Sequence, residues 1–296
     1  MSGPGPMRVG IKLSQQLHPI DAQREAWRMA DAAGFDHIWL FDHLIAIHQD
    51  VPKPIFDGWT MLAALAAGTR RARFGLNVTG NLYRHPALLA KIAVTVDHLS
   101  GGRLEMGLGA GWNEVEFRMF GMAFAGPADR IRMLDEACGV LKALWTEPRA
   151  TRHGRFYDIT DAIAEPKPLQ KPHPPLWIGG NGPKRTLRVA AKHADVWSCD
   201  VWPTDPSKIE PAHALARVLD EHCASLGRDP LTIRRAHVLL VDGTETALDI
   251  AKLSLRAGFT DFLLFPLQAA SAEGDLRAGV EDAAKLLPRL RALARP

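Results

Sequence analysis

The chain has 296 residues, 47% of them hydrophobic and 23% charged, with a formal net charge of +3. That balance fits a globular protein with a sizeable core, and a small charge without a dense Lys/Arg stripe gives nucleic-acid binding no support. No apolar run approaches the ~20 residues that span a membrane, and the widely separated Cys138, Cys199 and Cys223 argue against a disulfide framework and for a reducing cytoplasm.

Residues 1–7 open with Met-Ser-Gly-Pro-Gly-Pro, which lacks the apolar centre of a secretion signal and is expected to be a flexible extension ahead of a domain spanning 8–296. Val9 to Leu13 predicts a first strand, followed by a helix over Asp21 to Ala33 that ends at Gly34. His37 to Phe41 is the second strand, Gly58 to Ala66 the second helix, and Arg73 to Val78 the third strand. The helix that starts at Pro86 carries Leu89, Ile92, Val96 and Leu99 at helical spacing, with proline in its first turn. Leu104 to Leu108 is the fourth strand, and Ile131, Leu134, Cys138, Leu141 and Trp145 mark a fourth helix, in which Cys138 is expected to pack in the core.

The alternation then breaks. Thr151 to Ile159 predicts a hairpin around Gly154, and a proline-rich approach follows through Pro166, Pro168, Pro172, Pro174 and Pro175. Leu176 to Ile178 resumes the pattern, with a helix from Pro183 to His193. Val196 to Ser198 is the sixth strand, Ser207 to Leu226 a long helix, and Ile233 to Val241 the seventh strand. Thr244 to Ala257 is the next helix, stopped by Gly258. Asp261 to Phe265 is the eighth strand, and Val280, Ala283, Leu287 and Leu290 mark a closing helix. Eight strands alternating with eight helices predict a single α/β chain folded as a parallel (β/α)8 TIM barrel, with the hairpin and proline segment as an insertion between the fourth helix and fifth strand. A doubly wound open sheet is the rival arrangement.

In such barrels chemistry sits where strands end. The strand map nominates Asp42 and His43 after the second strand, and Asn77, Val78, Thr79, Gly80 and Asn81 after the third. After the fourth comes Gly107-Leu108-Gly109-Ala110-Gly111-Trp112, in which bare backbone would admit a flat ligand or another strand, and Trp112 adds an aromatic wall. After the fifth comes Gly179-Gly180-Asn181-Gly182, whose backbone N–H groups and following helix, with Lys184 and Arg185 nearby, suit either a phosphate or a plain turn. Ser198, Cys199 and Asp200 follow the sixth. His43 is either a general acid and base or a hydrogen-bonded rim residue, whereas His37 lies at the opposite barrel end and is assigned no role. His43 and His48 stand five residues apart and no H-E-x-x-H run occurs, so no metal site is expected. The absence of G-x-S-x-G weakens a hydrolase, and that of G-x-x-x-x-G-K-[ST] a nucleotide hydrolase. Trp39, Trp145 and Trp177 are expected in packing.

Taken together, Gly34 to His43, Tyr83 to Lys91, Ser100 to Gly121 and Trp177 to Trp197 resemble, in order, four blocks of the bacterial luciferase-like monooxygenase superfamily, most closely its short F-420-dependent oxidoreductases. The resemblance implies a barrel that binds the deazaflavin coenzyme F-420, or alternatively FMN, in its mouth. It further implies a bulge, often with a non-proline cis peptide, at Asn77-Val78. Asp42 would face the cofactor, and His43 would donate or accept the proton. Thr79, Gly109, Gly111, Trp112, Gly179, Gly180, Asn181 and Gly182 complete the expected cofactor site. A glutamate that some of these enzymes place after strand four is replaced by Trp112, which puts their sugar-phosphate chemistry in doubt. The expected activity is hydride transfer to or from a small organic substrate. An FMN-dependent monooxygenase with a partner reductase, or a silent flavin-binding barrel, are the other readings. Relatives often dimerise, so a homodimer and a flavin or F-420 reductase are the expected partners.

Overall fold

Short runs of branched and aromatic residues, buried on both faces, suit strands of a parallel ring covered by helices. The computed structural model of the chain describes residues 6–47, 52–243, 245–270 and 274–294. Its elements follow in chain order: β1 (Arg8–Lys12), α1 (Ile20–Ala33), β2 (His37–Leu40), α2 (Gly58–Gly68), β3 (Arg73–Leu76), β4 (Thr79–Gly80), α3 (Pro86–Ser100), β5 (Leu104–Gly109) and α4 (Glu114–Met119). Then come α5 (Pro127–Thr146), β6 (Ala150–His153), β7 (Asp158–Ala162), β8 (Leu176–Gly179), α6 (Thr186–His193), β9 (Val196–Cys199), α7 (Glu210–Ser225), β10 (Arg234–Val241), α8 (Thr246–Arg256), β11 (Phe259–Pro266) and α9 (Leu276–Ala292).

The parallel order β3-β2-β1-β11-β10-β9-β8-β5 closes on itself through Phe74 opposite Leu104 and Gly75 opposite Glu105, which makes a closed (β/α)8 barrel and rules out the open sheet. β3 and β4 are two halves of the third barrel strand, parted by a bulge with a cis peptide between Asn77 and Val78. β4 continues the pairing, Thr79 opposite Leu108 and Gly80 opposite Gly109. The antiparallel β6-β7 hairpin forms the insertion ahead of β8.

Two layers of packing hold the ring. Outside it, Leu40, Phe74, Leu104 and Ile178 meet the helices in one continuous core that includes Trp145 and Cys138. Inside it, Trp39 and Trp177 lie 4.4 Å apart with Val196, Ala236, Val238 and Leu263. Below them sits a buried acid layer. Glu105 accepts the Trp177 indole N–H at 2.6 Å and pairs with Arg73, and Asp261 pairs with Arg234. His37, placed by the sequence at this end, accepts the Trp39 indole N–H at 2.6 Å, a structural contact far from the barrel mouth. Charges buried this way need a partner for each, which these arginines supply.

Several boundaries differ from the sequence expectation. Leu99 is exposed, because α3 buries Leu89, Ala90, Ala93, Val96 and Asp97; its small alanines turn the contact face away from Leu99. α6 begins at Thr186, not Pro183, since Arg185 is non-helical and Gly182 accepts the Leu187 N–H at 3.0 Å. The stretch before α7 is a tight turn over Pro206–Lys208, and the helix starts at Glu210, where Pro211 fits a first turn. The short α4 was not anticipated. Of the predicted extension, residues 1–5 lie outside the described part, as do His48 and Thr244, while Met7 packs against the core.

The glycines of β5 are needed for strand contact. A Cβ on Gly107 would stand 1.9 Å from the Leu76 carbonyl oxygen, whereas one on Gly139, inside α5, would meet nothing within 4 Å. Gly107→Ala is therefore expected to cost about 3 kcal/mol or prevent folding, and Gly139→Ala to add about 0.5–1 kcal/mol through helix propensity. Urea unfolding of the two variants beside the parent checks both signs.

Candidate functional site

A cavity of about 720 Å³ opens at the C-terminal ends of the strands, bounded among others by Lys12, Phe41, His43, Val78, Trp112, Gly179 and Trp202. The strand register decides which side chains reach it. Residues just past β2, in the β3 bulge and past β5, β8 and β9 all project there, as barrel geometry requires.

Val78 forms part of the floor. Its side chain stands between β5 and β8, so close that a Cβ on Gly109 or Gly179 would come within 2.6 and 2.7 Å of it. These two glycines thus make room for the Val78 side chain and both also line the cavity, whereas at Gly107 the backbone of another strand comes close, one of the two uses foreseen for the bare backbone after the fourth strand. Asn77, on the other side of the bulge, spends both ends of its amide: Oδ1 accepts from Lys12 Nζ at 3.0 Å and Nδ2 donates to Ser198 Oγ at 2.9 Å.

On one wall, His43 Nδ1 lies 2.5 Å from Glu116 Oε1, and Glu116 Oε2 accepts the Leu44 N–H at 2.6 Å. Burial pushes the Glu116 carboxyl up, but the hydrogen bond and charge of His43, the Leu44 N–H and the Tyr83 hydroxyl outweigh it and hold the group below its usual range. Tyr83 is pushed up in turn, by burial first and then by Glu116. With Nδ1 committed to a carboxylate, Nε2 is the nitrogen left for a ligand. Trp112 sets its ring edge-on to His43, 5.6 Å between centroids. This wall therefore carries a carboxylate from α4, Glu116, and an indole at position 112.

Asp42 lies beside the dyad, 3% exposed. Burial pushes its carboxyl up despite Arg84, whose guanidinium donates to Oδ2 at 2.8 Å, and the Gly80 N–H, which donates at 3.2 Å.

The other predicted residues separate into two groups. Asp42, His43, Asn77, Val78, Gly109, Gly111, Trp112, Gly179 and Gly180 line the cavity. Thr79, Asn181 and Gly182 do not line it. Thr79 is fully buried at the start of β4; Asn181 Oδ1 accepts the Asp200 N–H at 2.8 Å and ties the loop after β8 to the loop after β9. The N–H cradle expected at Gly180 to Gly182 is also partly spent, since Gly180 donates to the Ser198 carbonyl at 3.2 Å. Lys184 and Arg185 are exposed, and the buried Thr186 brings the start of α6 to the cavity instead. Among the described residues, no group of three or more His, Cys, Asp or Glu could hold a metal, and no helix is long and apolar enough to cross a membrane.

Sequence inspection missed Lys12, Tyr83, Arg84, Glu116 and Trp202. Lys12 carries a signal that was available: a lysine ending the apolar run Val9-Gly10-Ile11 stands where a strand delivers its last side chain to the barrel mouth. Its ammonium is buried, 4.5 Å from the Phe41 ring centre and 5.1 Å from that of Trp202. Burial lowers it to about 8, with Asp200 opposing.

A model of the luciferase-like monooxygenase family matches residues 6–294. An uncharacterized protein of Mycobacterium tuberculosis is 32% identical over 221 residues, covering 70% of this chain and 75% of that one. The phthiodiolone/phenolphthiodiolone dimycocerosates ketoreductase of the same organism is 29% identical over 280 residues, covering 84% of this chain and 70% of that protein. In fold, an F-420-dependent secondary alcohol dehydrogenase, solved with an F-420–acetone adduct, superposes with a TM-score of 0.80 at 19% identity, covering 99% of this chain and all of that one.

The buried ammonium of Lys12 has a consequence for stability. Its folded value of about 8 lies below the ordinary 10.5, so the cost of burying the charge is fully present below pH 8 and is relieved as pH rises from there to 10.5. Lys12→Met is expected to be more stable than the parent by about 1–3 kcal/mol at pH 7, with the gain shrinking by pH 10. Urea midpoints of both proteins at the two pH values measure it.

Proposed function

The chain belongs to the luciferase-like monooxygenase family, and on that footing we propose that it is an oxidoreductase passing hydride between coenzyme F-420 and a small organic carbonyl or alcohol, with His43 moving the proton. The observation that carries this is the His43–Glu116 pair in the cavity wall, a base held by a buried carboxylate and facing space large enough for a ring and a substrate.

The residues present suit a flat tricyclic ring. Val78 forms a low floor with Gly109 and Gly179, whose bare backbone leaves room for the Val78 side chain and also lines the cavity. Gly180 and Thr186 at one edge would receive the polar tail, and Asn77 stands at the other side of the bulge. When bound, F-420 supplies a hydride acceptor or donor at C5 of its ring. In the reducing direction His43 Nε2 gives a proton to the carbonyl oxygen as that oxygen gains negative charge, which leaves an alcohol; in the oxidising direction it takes the hydroxyl proton. Glu116 holds the Nδ1–H, fixes the ring plane and steadies the imidazolium between the two states. Trp112 and Phe41 cover the dyad and exclude water. The ketoreductase relative and the alcohol dehydrogenase of like fold support a carbonyl–alcohol pair as the substrate type.

Quenching of tryptophan fluorescence by F-420 and by FMN is the first test, followed by F-420H2 oxidation with a panel of ketones. His43→Ala is expected to lower kcat by about 10²–10⁴-fold with coenzyme affinity within a few-fold of the parent, and Glu116→Gln to lower kcat less. Tight FMN binding with no F-420 binding, together with oxygen uptake by the FMNH2-loaded protein, would overturn the deazaflavin reading in favour of a monooxygenase. Full activity in His43→Ala would return His43 to a rim residue.

A further inference from the structure

A lysine is seldom buried unless it is paired or used. Lys12 is 4% exposed, yet among the described residues no carboxylate stands at ion-pair distance from it. Among the described residues its one hydrogen-bond partner is Asn77 Oδ1, an acceptor for one of three ammonium N–H groups. The remaining surroundings are the faces of Phe41 and Trp202, which attract a cation but offer no lone pair.

The neighbouring charges have their partners elsewhere. Asp42 is paired with Arg84, and Glu116 with His43. Asp200, whose charge acts on Lys12 from further off, accepts the Trp202 indole N–H at 2.5 Å. Among the described residues Lys12 is therefore the cavity cation left without a direct counter-charge. It and His43 flank one ring: the ammonium is 4.5 Å from the Phe41 centre and the imidazole 6.4 Å. A ligand lying along Phe41 reaches both.

We propose that Lys12 is the specificity-determining residue of this site and binds an anionic group of the substrate, so that the preferred substrates are oxo acids, or the matching hydroxy acids, with an apolar or aromatic body. The carbonyl part of this statement rests on the oxidoreductase reading above; the anion part rests on Lys12 alone. The carboxylate takes the free N–H groups of Lys12, the apolar body lies against Phe41, Phe265 and Trp202, and the adjacent carbonyl is directed toward His43. Desolvation makes the contact selective, since an uncharged analogue leaves the ammonium buried and unpaired.

Phenylpyruvate and phenylacetone differ in this respect alone, a carboxylate against a methyl group on the same carbonyl. Their affinities for the full-length protein are measured by calorimetry, with and without saturating oxidised F-420. The expected result is a preference for phenylpyruvate of about tenfold or more, lost in Lys12→Met and in Lys12→Gln, with thermal melts confirming that both variants are folded. Equal binding of the two compounds by the parent, or a preference that survives in both variants, would overturn the proposal. So would a loss of F-420 affinity in Lys12→Met with the preference unchanged, which would assign the ammonium to the coenzyme. The contrast is read from binding and needs no turnover, so failure of the deazaflavin reading leaves it measurable, and its own failure leaves that reading standing.

Discussion

The wedge of Val78 between two glycines is the contact on which both barrel and cavity depend. The third barrel strand cannot run straight: after Leu76 it bulges through Asn77 and Val78 before β4 resumes pairing with β5. Room for that bulge exists only because positions 107, 109 and 179 carry no side chain; a methyl group at any of them would come within 2.7 Å of the bulge or the backbone leading into it. The same geometry closes the ring between β3 and β5 and leaves a low floor beneath the mouth. Fold and site share one steric solution.

Charge is handled differently at the two ends of the barrel. At the closed end, Glu105 and Asp261 are fully buried and answered by Arg73, Arg234 and the indole N–H of Trp177, so their desolvation is offset by partners at hand. At the open end, Glu116 has His43 and Asp42 has Arg84, but among the described residues Lys12 has only an amide oxygen and two aromatic faces. The two ends thus differ in how completely the described residues satisfy their buried charges, which marks the open end as the candidate site.

Much of this architecture was legible beforehand. Strand-forming runs separated by amphipathic helices give the barrel, and Asp42, His43, Asn77 and the glycines fall at strand ends because the side-chain path of a parallel barrel is fixed. Misplaced features share one cause, which is that local pattern cannot see the neighbour. Leu99 has the spacing of a core residue but faces outward, since Ala90 and Ala93 set the contact face of α3. Pro183 looks like a helix start, yet the loop needs three more residues before Thr186. The loop after β8 reads equally as a phosphate cradle or a plain turn, and no local pattern shows that Gly180 is tied to β9 and Asn181 to the loop that follows it.

By itself the sequence determined the fold class and which residues fall at the strand ends, His43 among them, because periodicity, glycine placement and strand order are local properties of the chain. Only the tertiary structure decided what His43 and Lys12 face. Glu116 is 73 positions from His43, and Asn77 is 65 from Lys12. Pairings over such separations are set by ring closure and strand register, and nothing in a linear stretch records them. The glycine run shows the same division: its lack of side chains is written in the sequence, but that the space belongs first to Val78 is a consequence of how β3, β5 and β8 meet.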